Sequence, residues 1–102
     1  MKKVVVTVPV GHADKVRQAI GEAGGGKVGK YSFCSFSVRG TGRFLPGDGA
    51  KPAIGKVGKI EEVEEEQIEI NCDDVLVEDV VGAIRRVHPY EEPSIDIYLL
   101  EN

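Results

Sequence analysis

Val77-Glu78-Asp79-Val80-Val81-Gly82-Ala83-Ile84-Arg85-Arg86-Val87, then His88-Pro89-Tyr90-Glu91-Glu92-Pro93, then Ser94-Ile95-Asp96-Ile97-Tyr98-Leu99-Leu100 is the stretch that decides the fold. Val77, Val80, Val81, Ile84 and Val87 recur at i, i+3, i+4, i+7 and i+10. That spacing gathers them on one face of a helix over 75–87. Asp73 and Asp74 stand just before it as N-cap candidates, because a short carboxylate accepts from the first free backbone N–H groups. Pro89 and Pro93 forbid its continuation. Beyond them Ile95, Ile97 and Leu99 alternate with polar or aromatic neighbours, the period of a strand over 94–100. The C-terminal part of the chain therefore reads as a helix followed by a strand.

Moving toward the N-terminus, residues 60–72 read as a third strand, acidic from Glu61 to Glu69 and ending on Ile68, Ile70 and Cys72. At the other end of the chain, Lys2 to Val10 is a β-branched strand. Ala13, Val16, Ala19, Ile20 and Ala23 then form an apolar helical stripe, which Gly24-Gly25-Gly26 terminates. A second strand is expected over 28–38, with Tyr31 and Phe33 on one face and Cys34, Phe36 and Val38 on the other. A long loop follows over 39–59. The order β-α-β-β-α-β is that of an α+β, ferredoxin-like sandwich: an antiparallel sheet with two helices on one face. A chain of 102 residues is expected to form a single domain over its whole length.

Composition narrows the function classes. Hydrophobic residues make up 41% and charged residues 29%, the balance of a soluble globular domain rather than a disordered chain. Apolar runs such as Val4-Val5-Val6 are far shorter than the ~20 residues of a transmembrane helix. No charged segment followed by a long apolar one opens the chain, so no signal peptide is expected and the location is expected to be cytoplasmic, without a membrane partner. The formal net charge of −4 argues against nucleic acid as a partner, since phosphate binding needs a basic surface.

The strand order also has a chemical consequence. With the first two strands parallel and the other two opposed, three connections meet at one end of the sheet: 9–12, 39–59 and 88–93. The long loop carries Arg39, Arg43, Lys51, Lys56 and Lys59 against one acid, Asp48. The strand after it carries Glu61, Glu62, Glu64, Glu65, Glu66 and Glu69. The loop's glycines and cations form a candidate cradle for a small anionic ligand, with Arg39, Thr41, Arg43 and Tyr90 as its ligand-binding residues. The alternative is a loop that contacts a neighbouring subunit and whose cations balance the glutamates. A second candidate is a divalent-metal site from His12, His88, Glu91 and Glu92, since imidazole nitrogen and carboxylate oxygen suit such ions. The alternative for His88 is structural: it caps the negative end of the second helix, and the prolines fix the turn. Cys34 is expected opposite residues near 64, roughly 26 Å from Cys72 at ~3.3 Å per residue, so the thiols read as reduced and separate. No histidine is expected beside Cys34, so no catalytic residue is assigned.

Gly29-Lys30-Tyr31-Ser32-Phe33-Cys34-Ser35-Phe36, Gly40-Thr41-Gly42-Arg43-Phe44-Leu45-Pro46, Gly55-Lys56-Val57-Gly58 with Glu62-Val63-Glu64, and His88-Pro89-Tyr90-Glu91-Glu92-Pro93 together resemble the inserted domain of the NIF-three-like (YqfO-type) family. The resemblance covers nearly the whole chain, and the last motif is its most specific part. It implies a unit similar to the CutA and PII proteins, ferredoxin-like and trimeric. In that family two metal-binding halves with a hydrolase or cyclohydrolase label flank the insert. Neither half is in this sequence, so the expectation is a free-standing, non-catalytic binding or regulatory module. It would form a homotrimer, with a small ligand or divalent metal at the subunit clefts. An assembly domain that binds a NIF-three-like partner without any ligand is the alternative. A metal-dependent hydrolase or cyclohydrolase follows from the family name alone. The helix-free face of the sheet is expected to be covered by other subunits, and a neighbouring chain is expected to extend the edge at the third strand.

Overall fold

The structure is a computed structural model that describes residues 1–101. Lys2–Pro9 (β1) leads through a 3-10 turn at Val10–His12 into the helix Ala13–Glu22 (α1). Strands Phe36–Phe44 (β2) and Glu61–Cys72 (β3) follow, then a 3-10 turn at Asp74–Leu76, the helix Val77–Val87 (α2) and the strand Ile95–Leu99 (β4). The sheet has the order β2-β3-β1-β4, with every neighbouring pair antiparallel. This is the α+β, ferredoxin-like architecture.

The alternation in β1 explains the core. Val4, Val6 and Val8 point to the helix side, opposite Ile70, Ile68 and Glu66 of β3. Val16 and Ile20 of α1 and Val80 and Ile84 of α2 meet them, all at most 2% exposed. Burying each of these side chains contributes about 1.5–3 kcal/mol. The helices thus form because their apolar stripes have a sheet face to cover, rather than from propensity alone. Glu66 is a charge buried on that face, at 9% exposed. Arg17 of α1 reaches it at 2.7 Å, and also donates to Ser37 of β2 at 3.1 Å. One guanidinium so ties α1 to two strands. Hydrogen bonds to Asp14 and Glu66 raise its pKa above the ordinary value, so it stays charged.

The second strand starts eight residues later and ends six later than the expected 28–38, and the loop is 45–60 rather than 39–59. Two physical causes account for the shift. Gly26 (φ +82°), Gly29 (φ +58°) and Phe33 (φ +58°) are left-handed, a conformation a strand does not contain. Arg39 and Arg43 instead come directly opposite Glu66 and Glu62, and opposite charges across an antiparallel pair favour that register. Gly40-Thr41-Gly42 is therefore strand, not loop. Tyr31, Phe33 and Cys34 lie off the sheet, and the Phe33 ring packs where Gly21 of α1 has no Cβ.

The register also moves Cys34. Phe36 pairs with Glu69, so Cys34 lies near the Cys72 end of β3 and not opposite residue 64. Its N–H donates to the Gly26 carbonyl at 2.8 Å, and the Gly26 N–H to the Asn71 carbonyl at 2.8 Å. Both thiols are free, and burial pushes that of Cys72 up. β3 is an interior strand, so the edges open to a neighbouring chain are β2 and β4, which corrects the expected edge. Asp73 and Asp74 give no side-chain cap to the following turn. Asp74 instead takes the terminal ammonium of Met1 at 2.8 Å and Lys2 at 3.3 Å.

The second face of the sheet has no helix over it. Strand alternation assigns Val5, Thr7, Gln67, Glu69, Phe36, Val38 and Tyr98 to it. Phe36 (65%), Val38 (45%) and Tyr98 (53%) are largely exposed there. No helix among the described residues is long and apolar enough to cross a membrane.

Candidate functional site: a cavity on the helix-free face

The loop between β2 and β3 leaves the sheet at Phe44 and returns at Glu61. Its ends are pinned together, since the Gly58 N–H donates to the Pro46 carbonyl at 2.9 Å. Further along, the Lys51 N–H donates to Glu91 Oε1 at 2.8 Å and ties the loop to the segment before β4. The loop thus roofs a cavity of about 670 Å3 against the sheet. That volume lies within the range of small-molecule sites, about 300–1,000 Å3. The sheet supplies Thr7, Val38, Glu65 and Gln67, the loop Leu45, Pro52 and Ile54, and the third wall is Tyr90, Glu91, Glu92 and Ser94.

Glu65 and Tyr90 form the cavity's polar corner. The Tyr90 hydroxyl donates to Glu65 Oε2 at 2.8 Å. Glu65 is only 8% exposed and lies over Gly42, where any Cβ would strike its carboxylate. Glycine at 42 is therefore what lets Glu65 lie along the strand. Burial, then the Glu65 hydrogen bond, hold the Tyr90 phenol well above its ordinary pKa. The phenol is therefore a permanent donor. The Phe44 ring meets Tyr90 edge-on, with centroids 5.7 Å apart.

His88 lies behind Tyr90, with ring centroids 5.1 Å apart. Its Nδ1 accepts from the Tyr90 N–H at 3.1 Å. The other nitrogen, Nε2, therefore carries the proton and donates to the Thr7 carbonyl at 2.8 Å. Both ring nitrogens are thus used in joining α2, the 88–94 segment and β1. Burial lowers the His88 pKa below its ordinary 6.5, partly offset by the Thr7 bond. Below about pH 6.5 the unfolded chain takes up a proton that folded His88 refuses, so stability falls as pH drops through that value. The fall continues until folded His88 titrates. Thermal unfolding between pH 7.5 and 5.5 is expected to show this decline, and His88→Gln to flatten it. An equally steep decline in the variant would assign the effect to other groups.

The structure brings several of the expected site residues together. Arg39, Thr41, Arg43, Tyr90, Glu91 and Glu92 all line the cavity. Strand alternation, however, turns the side chains of Arg39, Thr41 and Arg43 toward the helix side of β2, with Ser37. Thr41 Oγ1 donates to Glu64 Oε1 at 3.1 Å, and Arg43 Nε lies 3.5 Å from Glu62 Oε1. Their strand borders the cavity, while the Thr41 and Arg43 side chains bind β3. His12 and His88 do not line it, although His12 is near enough to lower the His88 pKa. His12 Nδ1 is buried without a partner. Among the described residues no three His, Cys, Asp or Glu side chains converge as metal ligands. Sequence reasoning missed Thr7, Glu65 and Gln67. The signal for them was parity: in β3 the odd-numbered positions share a face, and on the neighbouring strand Gly40 and Gly42 leave room beside Glu65.

No family model matches the chain. It is 49% identical over 100 residues to the GTP cyclohydrolase 1 type 2 homolog of Halalkalibacterium halodurans, covering 98% of this chain and 27% of that protein. It is 46% identical over 101 residues to the protein of the same name from Bacillus subtilis, covering 99% of this chain and 27% of the relative. The chain thus spans about a quarter of the length of the curated relatives it matches. Among solved structures, a Bacillus cereus protein related to NIF3 superposes with a TM-score of 0.86 at 48% identity, over 99% of this chain and 26% of that one. CutA1 from Pyrococcus horikoshii superposes at 0.72 with 21% identity, over 100% of this chain and 85% of that one. This last likeness is one of fold.

Proposed function

Because the chain carries, over nearly its whole length, the CutA-like domain found within NIF3-related proteins, and spans only about a quarter of them, we propose that it is a small-ligand-binding or regulatory module that does no chemistry itself. The observation that carries the reading is the roofed cavity. A loop pinned at its base closes over an otherwise bare sheet face, against a segment held in place by His88 and Tyr90. Such a concave, largely apolar space with a few placed polar groups is the usual form of a small-molecule site. The cyclohydrolase name belongs to relatives of which this chain is 27%, and a reaction is not proposed for it.

The module acts as a homotrimer in this reading. Phe36, Val38 and Tyr98 on the helix-free face support it, since an exposed apolar sheet face is stabilised by a second layer. The cavity would then lie at a cleft between copies. A divalent metal there would take Glu91 or Glu92 together with ligands of another copy, because the described residues of one chain do not assemble three. Light scattering at micromolar concentration tests the assembly, and calorimetry against nucleotides and divalent metals tests the site. A trimer mass with saturable binding is expected. A monomer that binds none of these would reject the reading. A trimer that binds none of them would favour the second reading, an assembly domain for a NIF-three-like partner, to which the same exposed face lends itself.

A further inference from the structure

We infer that the cavity selects a ligand carrying a flat, positively charged nitrogen group, such as an amidinium, a guanidinium or a protonated aminoheterocycle, seated against Glu65. The inference rests on the small-ligand reading above and specifies what the site accepts. Its starting point is an imbalance of charge. Glu65 is 8% exposed, yet no Lys, Arg, His or terminal ammonium among the described residues pairs with it. Its neighbour Glu66, buried to a similar degree, has Arg17 at 2.7 Å. A buried carboxylate is ordinarily paired, because losing water costs far more than a single neutral hydrogen bond returns.

Glu65 receives that single bond, from the Tyr90 hydroxyl to Oε2. Oε1 accepts from no protein donor among the described residues, and the carboxylate lines the cavity. The Tyr90 phenol is neutral, so it gives Glu65 one hydrogen bond and no counter-charge. The missing partner is thus a donor that enters through the cavity. A carboxylate is best met by two parallel N–H groups in one plane, the geometry of an amidinium or guanidinium. Phe44 borders the same corner, and an aromatic face attracts a flat cation. Leu45, Pro52 and Ile54 leave the remainder of the space apolar. A bare metal ion fits less well: among the described residues no three His, Cys, Asp or Glu side chains gather as ligands.

Benzamidine and benzamide test this directly, since they share shape and differ in charge. Protein-observed NMR titration at neutral pH is expected to show saturable benzamidine binding, with shifts at the amides of Gly42, Glu65 and Tyr90. Benzamide is expected to bind about tenfold or more weakly, the loss of a charged hydrogen bond. Glu65→Gln is expected to reduce benzamidine to the benzamide level. Equal binding of the two compounds at the cavity would overturn the charge selection while leaving the binding-module reading intact. Undiminished binding to Glu65→Gln, or shifts mapping elsewhere, would overturn it equally. If neither compound shifts these amides the inference fails, and the calorimetric survey then decides the broader reading by itself. Should Glu65→Gln not fold, the comparison of the two compounds on the unaltered protein still decides.

Discussion

Gly26→Ala is expected to destabilise the protein by about 2–4 kcal/mol, a sum of left-handed strain and displaced hydrogen bonds. Gly26 has φ +82°, where a Cβ is disfavoured. Space compounds the strain, because that Cβ would strike the backbone of Cys34, including its nitrogen at 2.9 Å and its carbonyl oxygen. A flexible side chain could swing aside, but here the obstacle is main chain. The segment cannot slide away either. It is held by Gly26 N–H to Asn71 and by Cys34 N–H to Gly26, both at 2.8 Å. Urea unfolding would show the midpoint shift. Gly29→Ala is the control: φ is +58°, but nothing lies within 4 Å of its Cβ position. The Gly29 variant should lose much less. Equal losses for the two would mean that backbone contact at Gly26 contributes nothing.

Ile68→Ala carries the second large effect. Ile68 is 0% exposed in the interior strand β3, with Val6 of β1 on one side and Ser37 of β2 on the other. Its side chain points to the helix side, into the cluster of Val16, Ile20, Val80 and Ile84. Removing a buried isoleucine to alanine costs about 2–5 kcal/mol, of which part is the cavity left behind. Domains of this size have about 5–15 kcal/mol in total, so a large fraction would be lost. Thermal and chemical unfolding should both report it, with the m-value unchanged if the folded state persists. A change below about 1 kcal/mol would mean that neighbours collapse into the space freely.

The two helices, β1, β3 and β4 were legible in the sequence because each carries an uninterrupted period. Val77 to Val87 and Ala13 to Ile20 face one sheet side, and the structure buries those stripes. β2 was not legible at its true position. Gly40, Gly42, Arg39 and Arg43 have the composition of a loop, and they become a strand only opposite the glutamates of β3. That is a tertiary effect, invisible to any window along β2 itself. Phe33 misled in the opposite direction: an aromatic in a β-like run that adopts φ +58° and packs on α1.

The site was legible in outline and not in detail. Strand order alone brought the loop and the 88–93 segment to one end, and Tyr90 does line the cavity. Which side chains turn inward depends on parity, and parity depends on register. A strand expected to end at residue 38 assigns no faces to Arg39, Thr41 and Arg43. Glu65 looked like one more solvated glutamate in an acidic run. Its burial arises from Gly42 and Tyr90, two residues that are 23 and 25 positions away in the chain.

The bond from the Gly58 N–H to the Pro46 carbonyl separates two evolutionary fates. It closes residues 47–57 into a ring whose ends are fixed whatever lies between them. Doubling the length of such a ring costs only about 0.6 kcal/mol in closure entropy. The floor, by contrast, is locked by the strand register and by the glycine beneath Glu65. Descendants of this chain can therefore exchange the roof by insertion or deletion and keep the anchor. One scaffold could then recognise a series of ligands that share a charged head and differ in everything attached to it.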